Sequence, residues 1–200
     1  MTRSSVARLV CRTTVYSVSE QVDRRAAEDF ITDVFSRHYH AKLSGFMPEL
    51  MTLTHNGQIQ SAVGTRSAGD GAHESPLFLE CYLDEPIETA IRRITSRPVA
   101  RQAIVEVGQL AADRPGAGTA LMLHLGKSLA ANGFQWMVFT ATEELRGIFI
   151  RLGLPLFALA SANPHRLGKE AQAWGSYYQH HPLVVCASLG DAMRRMRHLR

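Results

Sequence analysis

Cysteine is scarce in this 200-residue chain: Cys11, Cys81 and Cys186 are odd in number, far apart and in no CxxC pair. That is poor material for a disulfide framework or a zinc site, and free, buried thiols are expected instead. Long apolar runs are missing too. No stretch approaches the roughly 20 residues that span a bilayer. Arg12 interrupts the N-terminal run VARLVCRTTVYSV, so a signal peptide is not expected and a cytoplasmic location is. No HExxH occurs; His38 and His40 lie two apart and His180 adjoins His181, neither a metal-ligand spacing, so no metal is expected. His124 lies mid-helix and reads as a packed or surface histidine. Internal repeats, low-complexity tracts and interdomain linkers are also missing.

Charge excess is confined to one place. The net charge of +4 equals the four arginines of the last seven residues, Arg194, Arg195, Arg197 and Arg200. Such a tail complements a helix dipole, or docks an acidic partner: a carrier protein, a nucleotide or an anionic membrane surface. Zinc-finger spacing and aromatic–basic interleaving are lacking, so nucleic acid is not an expected partner. What is present is a globular composition, 46% hydrophobic and 20% charged. It predicts one α/β domain over residues 1–200, with a core at 103–160 and a C-terminal aromatic segment and basic helix at 164–200.

Hydrophobic periodicity predicts the elements in order. Residues 6–18 read as a strand and 20–39 as a helix. PELMTLTHNGQIQSAVGTR reads as a hairpin turning at Asn56-Gly57. Residues 67–76 read as a loop, and a short helix after Pro86 places Ile87, Ala90, Ile91 and Ile94 on one face. The strand AIVEVGQL, the turn ADRPGAG and a long helix capped by Asn132-Gly133 follow. WMVFTAT is a second buried strand, EELRGIFIRLGL a helix closed by Gly153, PLFALASA a strand, and LVVCA a last strand before the basic helix. The pattern is β-α-β-β-α-β-α-β-α-β-β-α, a mixed central sheet covered by helices.

The chemistry concentrates in VEVGQLAADRPGAGTA, residues 105–120. A glycine-rich turn between strand and helix suits phosphate. A dinucleotide fingerprint fails, because Leu121 stands at the third glycine and no acidic residue ends the next strand. Gly126-Lys127-Ser128 mimics a P-loop, but its upstream glycine would fall at Leu121 and it sits inside a helix. Gly116 and Gly118 do let backbone approach a pyrophosphate, with the N–H groups of Gly118, Thr119 and Ala120 opening toward it and Pro115 in the first turn. Arg114 adds a charge. Glu106, alone between Val105 and Val107, must be paired, partly solvated or raised in pKa. It reads as a general base or amine-orienting group, or as half of an ion pair with Arg146 or Arg151. Gly108 fits a bulge or the close approach of another chain segment.

Asp113-Arg114-Pro115-Gly116-Ala117-Gly118 resembles the acyl-CoA turn Q/R-x-x-G-x-G/A of the GNAT acyltransferases, with Asp113 in place of Gln or Arg. The strand–turn–helix–strand–helix–strand order over Ala103 to Ala160 resembles the central half of that fold. Its fourth helix typically ends Y-x-x-x-G-F; here Phe149, Gly153 and Leu154 hold those positions, so the tyrosine that protonates the leaving thiolate is missing. The resemblance implies a GNAT-like fold and an acyl-CoA or acyl-phosphopantetheine co-substrate. The co-substrate would lie along Gly108, Leu110 and Ala111, with Thr142 nearby. Its phosphates would meet Arg114, Gly116, Ala117, Gly118, Thr119 and Ala120. Tyr177, in the cluster Trp174, Tyr177, Tyr178, is the candidate replacement acid; Tyr39, Glu80 and Tyr82 stand behind it.

EVGQLAA is similar to the E-x-S-R-F-x-V strand of acyl-homoserine-lactone synthases, with Gln109 at the arginine position, which makes Gln109 a further catalytic candidate. HYHAKLSGFMPEL, PLFLECYLDEPIE, VEVGQLAADRPGAG and WGSYY together resemble the thermostable hemolysin family. The GNAT-like core implies N-acylation of a small amine or amino-acid-like acceptor, from CoA or from an acyl carrier protein. The family name implies the alternative, a membrane-active or lipid-binding protein without catalysis. An acyl-CoA sensor without turnover is a third reading.

Overall fold

The computed structural model describes residues 13–17, 21–69 and 76–198. The readings placed on residues 6–12, on the middle of the 67–76 loop, on Cys11 and on Arg200 lie outside these residues. Seven strands form one sheet: β1 (Thr13–Ser17), β2 (Glu49–His55), β3 (Gln58–Ser67), β4 (Ile104–Ala112), β5 (Trp136–Ala141), β6 (Phe157–Ser161) and β7 (Leu183–Ser188). Five helices cover it: α1 (Gln21–Tyr39), α2 (Ile87–Thr95), α3 (Ala117–Ala131), α4 (Glu143–Arg151) and α5 (Leu189–His198). Strands lie in the order β1-β2-β3-β4-β5-β7-β6. All neighbours are antiparallel except β4 and β5, which run parallel through α3.

Strong local signals account for the match to the expected order. Asn56 and Gly57 adopt φ of +51° and +79°, as a tight hairpin turn between β2 and β3 requires. Gly133, at φ +87°, ends α3, with Phe134 N–H returning to Leu129 O at 3.1 Å. The central strands bury both faces. Val105, Val107, Met137, Phe139, Val185 and Ala187 pack under α3 and α5, whereas Ile104, Trp136, Val138 and Cys186 pack toward α2. One helix reading needs correction. Ile94 does not join Ile87, Ala90 and Ile91 in the core but stays 36% exposed, because α2 ends one residue later and its last turn is peripheral.

The sheet is irregular at its centre. Ala62 pairs with Ala111 and Gly64 with Gly108, so Gln109 and Leu110 of β4 stand opposite Val63 alone. This is a β-bulge, and Gln109 takes φ +55° to make it. The extra residue carries β4 on to Ala112, two residues beyond the expected AIVEVGQL, and bends it away from β5. The two parallel strands pair only at Ile104–Trp136, Val105–Met137 and Glu106–Val138, then diverge.

Candidate active site

The opening between the diverging strands leads into one cavity of about 1210 Å³. Glu106 and Phe139 stand near the fork. From there the walls follow the bulge (Gly108, Gln109, Leu110), the turn (Arg114, Pro115, Gly116), the start of α3 (Gly118, Thr119) and Thr142. Tyr177 and Trp174 close the opposite side. The cavity exceeds the roughly 300–1,000 Å³ usual for small-ligand sites.

Glu106 is 2% exposed. The ion pair expected with Arg146 or Arg151 is not formed. Arg146 instead donates to Ala141 O at 2.7 Å and His181 O at 2.8 Å, and Arg151 is exposed on α4. The carboxylate is satisfied by backbone: Phe78 N–H donates to Oε2 at 3.0 Å and Leu79 N–H to Oε1 at 2.9 Å. These amides open a 3₁₀ turn, Phe78–Tyr82, whose donors have no intrahelical acceptor. Burial pushes the Glu106 pKa up; the two amide bonds and Arg66 pull against it without cancelling it. A carboxylate has about four acceptor positions. With two filled, Glu106 retains capacity for a substrate proton.

The donor turn is itself anchored. Glu80 accepts from Leu77 N–H at 2.7 Å and Ile87 N–H at 2.9 Å. Arg101 grips both Glu80 oxygens at 2.8 Å, and also reaches Glu88 at 2.8 Å and Ala68 O at 3.1 Å. Burial raises the Glu80 pKa, but the guanidinium and the two amides outweigh it and hold the carboxyl below its ordinary value.

Gly108 meets its expectation of close approach. A Cβ there would lie 2.5 Å from Met47 Cε, and one on its partner Gly64 would lie 2.5 Å from Met47 Cβ. The segment after α1 thus rests on a pair of facing glycines. Gln109 ties it down, with Oε1 accepting from Met47 N–H at 3.0 Å and Nε2 donating to Gly45 O at 2.7 Å. Both ends of its amide are engaged, so Gln109 positions this segment rather than offering an open catalytic group.

At the glycine-rich turn, Gly116 adopts φ +82° and no side chain caps α3. Ala117 N–H turns back to Arg114 O at 3.1 Å, and Ala120 N–H makes the first helical bond to Gly116 O at 2.9 Å. The donors left in the first turn are therefore those of Gly118 and Thr119, and the expected contribution of Ala120 is corrected. Pro115 precedes the helix rather than entering its first turn. Neither Ala117 nor Ala120 borders the cavity, nor does Ala111, which is 0% exposed and packs beneath α1. The bulge explains Ala111: it restores β4 to its register with Ala62, turning that side chain into the core. Asp113, the unusual residue of the turn, is neutralised by Arg37 of α1 at 3.1 Å.

Phe149 is buried against Phe139 with ring centroids 5.3 Å apart, and supplies no proton. Tyr177 reaches the cavity from the other side. Its hydroxyl donates to Thr140 O of β5 at 3.4 Å, and burial pushes its pKa up. Tyr39 stacks edge-on to it at 5.2 Å, while Tyr178 is turned away to share a 2.7 Å hydrogen bond with Tyr82. The aromatic segment is held by Ser176 N–H to Tyr39 O and Lys42 N–H to Ala173 O, both 2.7 Å. Gly175 is needed there, since a Cβ would lie 2.0 Å from Tyr39 O. Among the described residues no cluster of three metal-ligating side chains occurs. Arg66, Met47 and Phe78 border the site without any local sequence signal.

A mixed sheet split at β4 and β5, with a bulge beside the split, defines a GNAT-like fold, and solved structures share it. An N-acyl amino acid synthase from uncultured soil microbes, FeeM, superposes with a TM-score of 0.62 at 12% identity, covering 93% of this chain and 96% of its own. The AHL synthase LasI gives 0.56 at 13% identity, covering 90% of each chain. The CoA-dependent acyl-homoserine lactone synthase MesI gives 0.53 at 10%, covering 93% and 94%. The chain belongs to the thermostable hemolysin family, whose model matches residues 18–193. No curated protein matches the sequence.

Proposed function

We propose that this protein is an N-acyltransferase that moves an acyl group from an acyl-thioester to a small amine or amino-acid-like acceptor. One observation carries the reading: a single cavity joins a buried carboxylate, an opened sheet edge and two unengaged helix-start amides. The donor's pyrophosphate lies at Gly118 and Thr119 beside Arg114. Its pantetheine extends along the freed edge of β4 past Gly108 and Leu110, where backbone N–H groups polarise the thioester carbonyl. Glu106 takes the amine proton as nitrogen attacks the carbonyl carbon. The C–S bond then breaks, and the thiolate takes its proton from Tyr177. Solvent exchange restores both groups.

The cavity continues between α3, α4 and α5 over Met122, Gly126, Phe139, Phe149, Leu189 and Met193. An acetyl group leaves that apolar branch empty, so the donor carries a longer chain. CoA and acyl carrier protein present the same arm and meet in the cytoplasm, and the basic face of α5 suits the acidic carrier. The activities of the structurally similar synthases FeeM and MesI, N-acyl amino acid and acyl-homoserine lactone synthesis, support a donor of this class. Mass spectrometry of ligands retained by the purified protein, with and without added acyl-CoAs, tests the reading. Retention of acyl-CoA or acylated product is expected; failure to bind any acyl-thioester overturns it.

A further inference from the structure

Arg66 lines the cavity on β3, directly across the antiparallel register from Glu106. Opposed residues on one sheet face have side chains within roughly 5 Å of each other at their base. Yet Glu106 spends two acceptor positions on the amides of Phe78 and Leu79, and no ion pair joins it to Arg66. Among the described residues Arg66 makes no hydrogen bond and no salt bridge, and its influence on Glu106 is at a distance. Of the other arginines lining the cavity, Arg114 lies in the glycine-rich turn and Arg151 is exposed on α4, so Arg66 is the one set beside Glu106. Arg37 and Arg101 nearby are engaged, the first by Asp33 and Asp113 and the second by Glu80 and Glu88. A half-buried guanidinium kept without a partner inside a ligand cavity is costly unless a ligand supplies one. Its planar fork matches a carboxylate.

Resting on the acyltransferase reading, we propose that the acceptor is a free amino acid, its carboxylate held by Arg66 while its amine faces Glu106. The two groups stand side by side on one face of the sheet, as amine and carboxylate stand on one small molecule. Gly64 and Gly108, next along the same face, leave the acceptor's side chain bounded by Met47, Phe78 and Trp174. The product is an N-acyl amino acid, with one amide bond formed and one thiol released.

The test compares free amino acids with their methyl esters and carboxamides, using one long-chain acyl-CoA as donor and thiol release as readout. A charge-assisted, bidentate contact predicts that the wild type prefers the free acid by about 100-fold in kcat/KM. Arg66→Gln should narrow that preference to within about threefold through KM for the acid, and Arg66→Lys should keep part of it. Calorimetry with acyl-CoA checks that the donor site is intact in each variant. Donor binding with equal use of acids and esters, or a preference that survives Arg66→Gln, overturns this inference alone. Absence of acyl-CoA binding overturns the acyltransferase reading and this inference together.

Discussion

Replacing Glu106 by glutamine tests the centre of the proposed mechanism, because it keeps shape and removes the proposed base. In the wild type both carboxylate oxygens accept backbone N–H bonds, at 3.0 and 2.9 Å. A glutamine retains one acceptor oxygen and points its NH2 at the other amide, donor against donor. At 2% exposure no water relieves that mismatch. It should cost about 1–3 kcal/mol, offset in part because a buried charge is removed. Activity should fall further, by about 100-fold or more, the range of lost general-base catalysis. The pH profile separates the two effects. Burial raises the folded-state pKa of Glu106 above its unfolded value. Its contribution to stability is therefore complete below the unfolded pKa and is lost as pH rises through the folded one. Turnover runs the opposite way, rising as the carboxyl ionises, on a limb above the ordinary carboxylate range. Glu106→Gln should abolish that limb and flatten the matching segment of the stability curve. Thiol release across pH, with thermal melts on the same samples, measures both. A variant that melts cooperatively, keeps the acid limb and turns over within threefold of wild type refutes the base assignment.

Other positions give independent readouts. Tyr177→Phe should lower kcat by roughly 10- to 100-fold with little change in KM if its hydroxyl protonates the leaving thiolate as proposed; an unchanged kcat moves the acid elsewhere. Gly126→Phe should shift the preferred acyl-CoA to shorter chains, because even a Cβ there lies 3.7 Å from Met193 Cε and 3.9 Å from Leu189 Cδ2; a chain-length series reads it out. Arg101→Met should destabilise the fold by about 3–5 kcal/mol, leaving Glu80 buried without its cation. Glu80's depressed pKa adds stability above its unfolded pKa that is lost as pH falls through the folded value. Urea melts between neutral and acid pH should show that loss in the wild type and not in Arg101→Met.

The order of elements was legible because each carried its own period or cap: the alternation around Asn56-Gly57, the β-branched central strands, the glycine closing α3. The cavity was half legible. Gly108, Gly116 and Gly118 announce close approach by lacking a side chain, and a lone glutamate between valines announces a partner. That partner could not be read, because it is the backbone of residues 78 and 79, nearly thirty positions away, where any sequence has an amide. The bulge was hidden for a related reason. Gln109 and Leu110 look like ordinary strand residues until Val63 is seen to face them both. Read without the bulge, β4 points Ala111 toward the cavity and offers Gln109 as a reacting group rather than as the clamp on residues 45–47. Arg66 was invisible because only strand register sets it across from Glu106.

On the proposed reaction, the lysis that the family's name records would follow from the product. No helix among the described residues is long and apolar enough to cross a membrane. Their exposed large apolar side chains are Ile94 on α2 and Ile150 on α4, one at 36% and the other at 72%. An N-acyl amino acid made from a long-chain donor has an apolar tail and an anionic head, the make-up of a detergent. Each methylene of its tail adds about 0.8 kcal/mol of membrane partitioning, so chain length controls potency. Heat that unfolds the enzyme leaves an amide-linked amphiphile intact. Dye-loaded vesicles should therefore leak when given a boiled reaction mixture of enzyme, acyl-CoA and amino acid, and leak more as the acyl chain lengthens. Purified, detergent-free protein alone should leave them sealed. Leakage by the protein alone, lost on boiling and indifferent to acyl-CoA, would assign the lytic activity to the polypeptide instead.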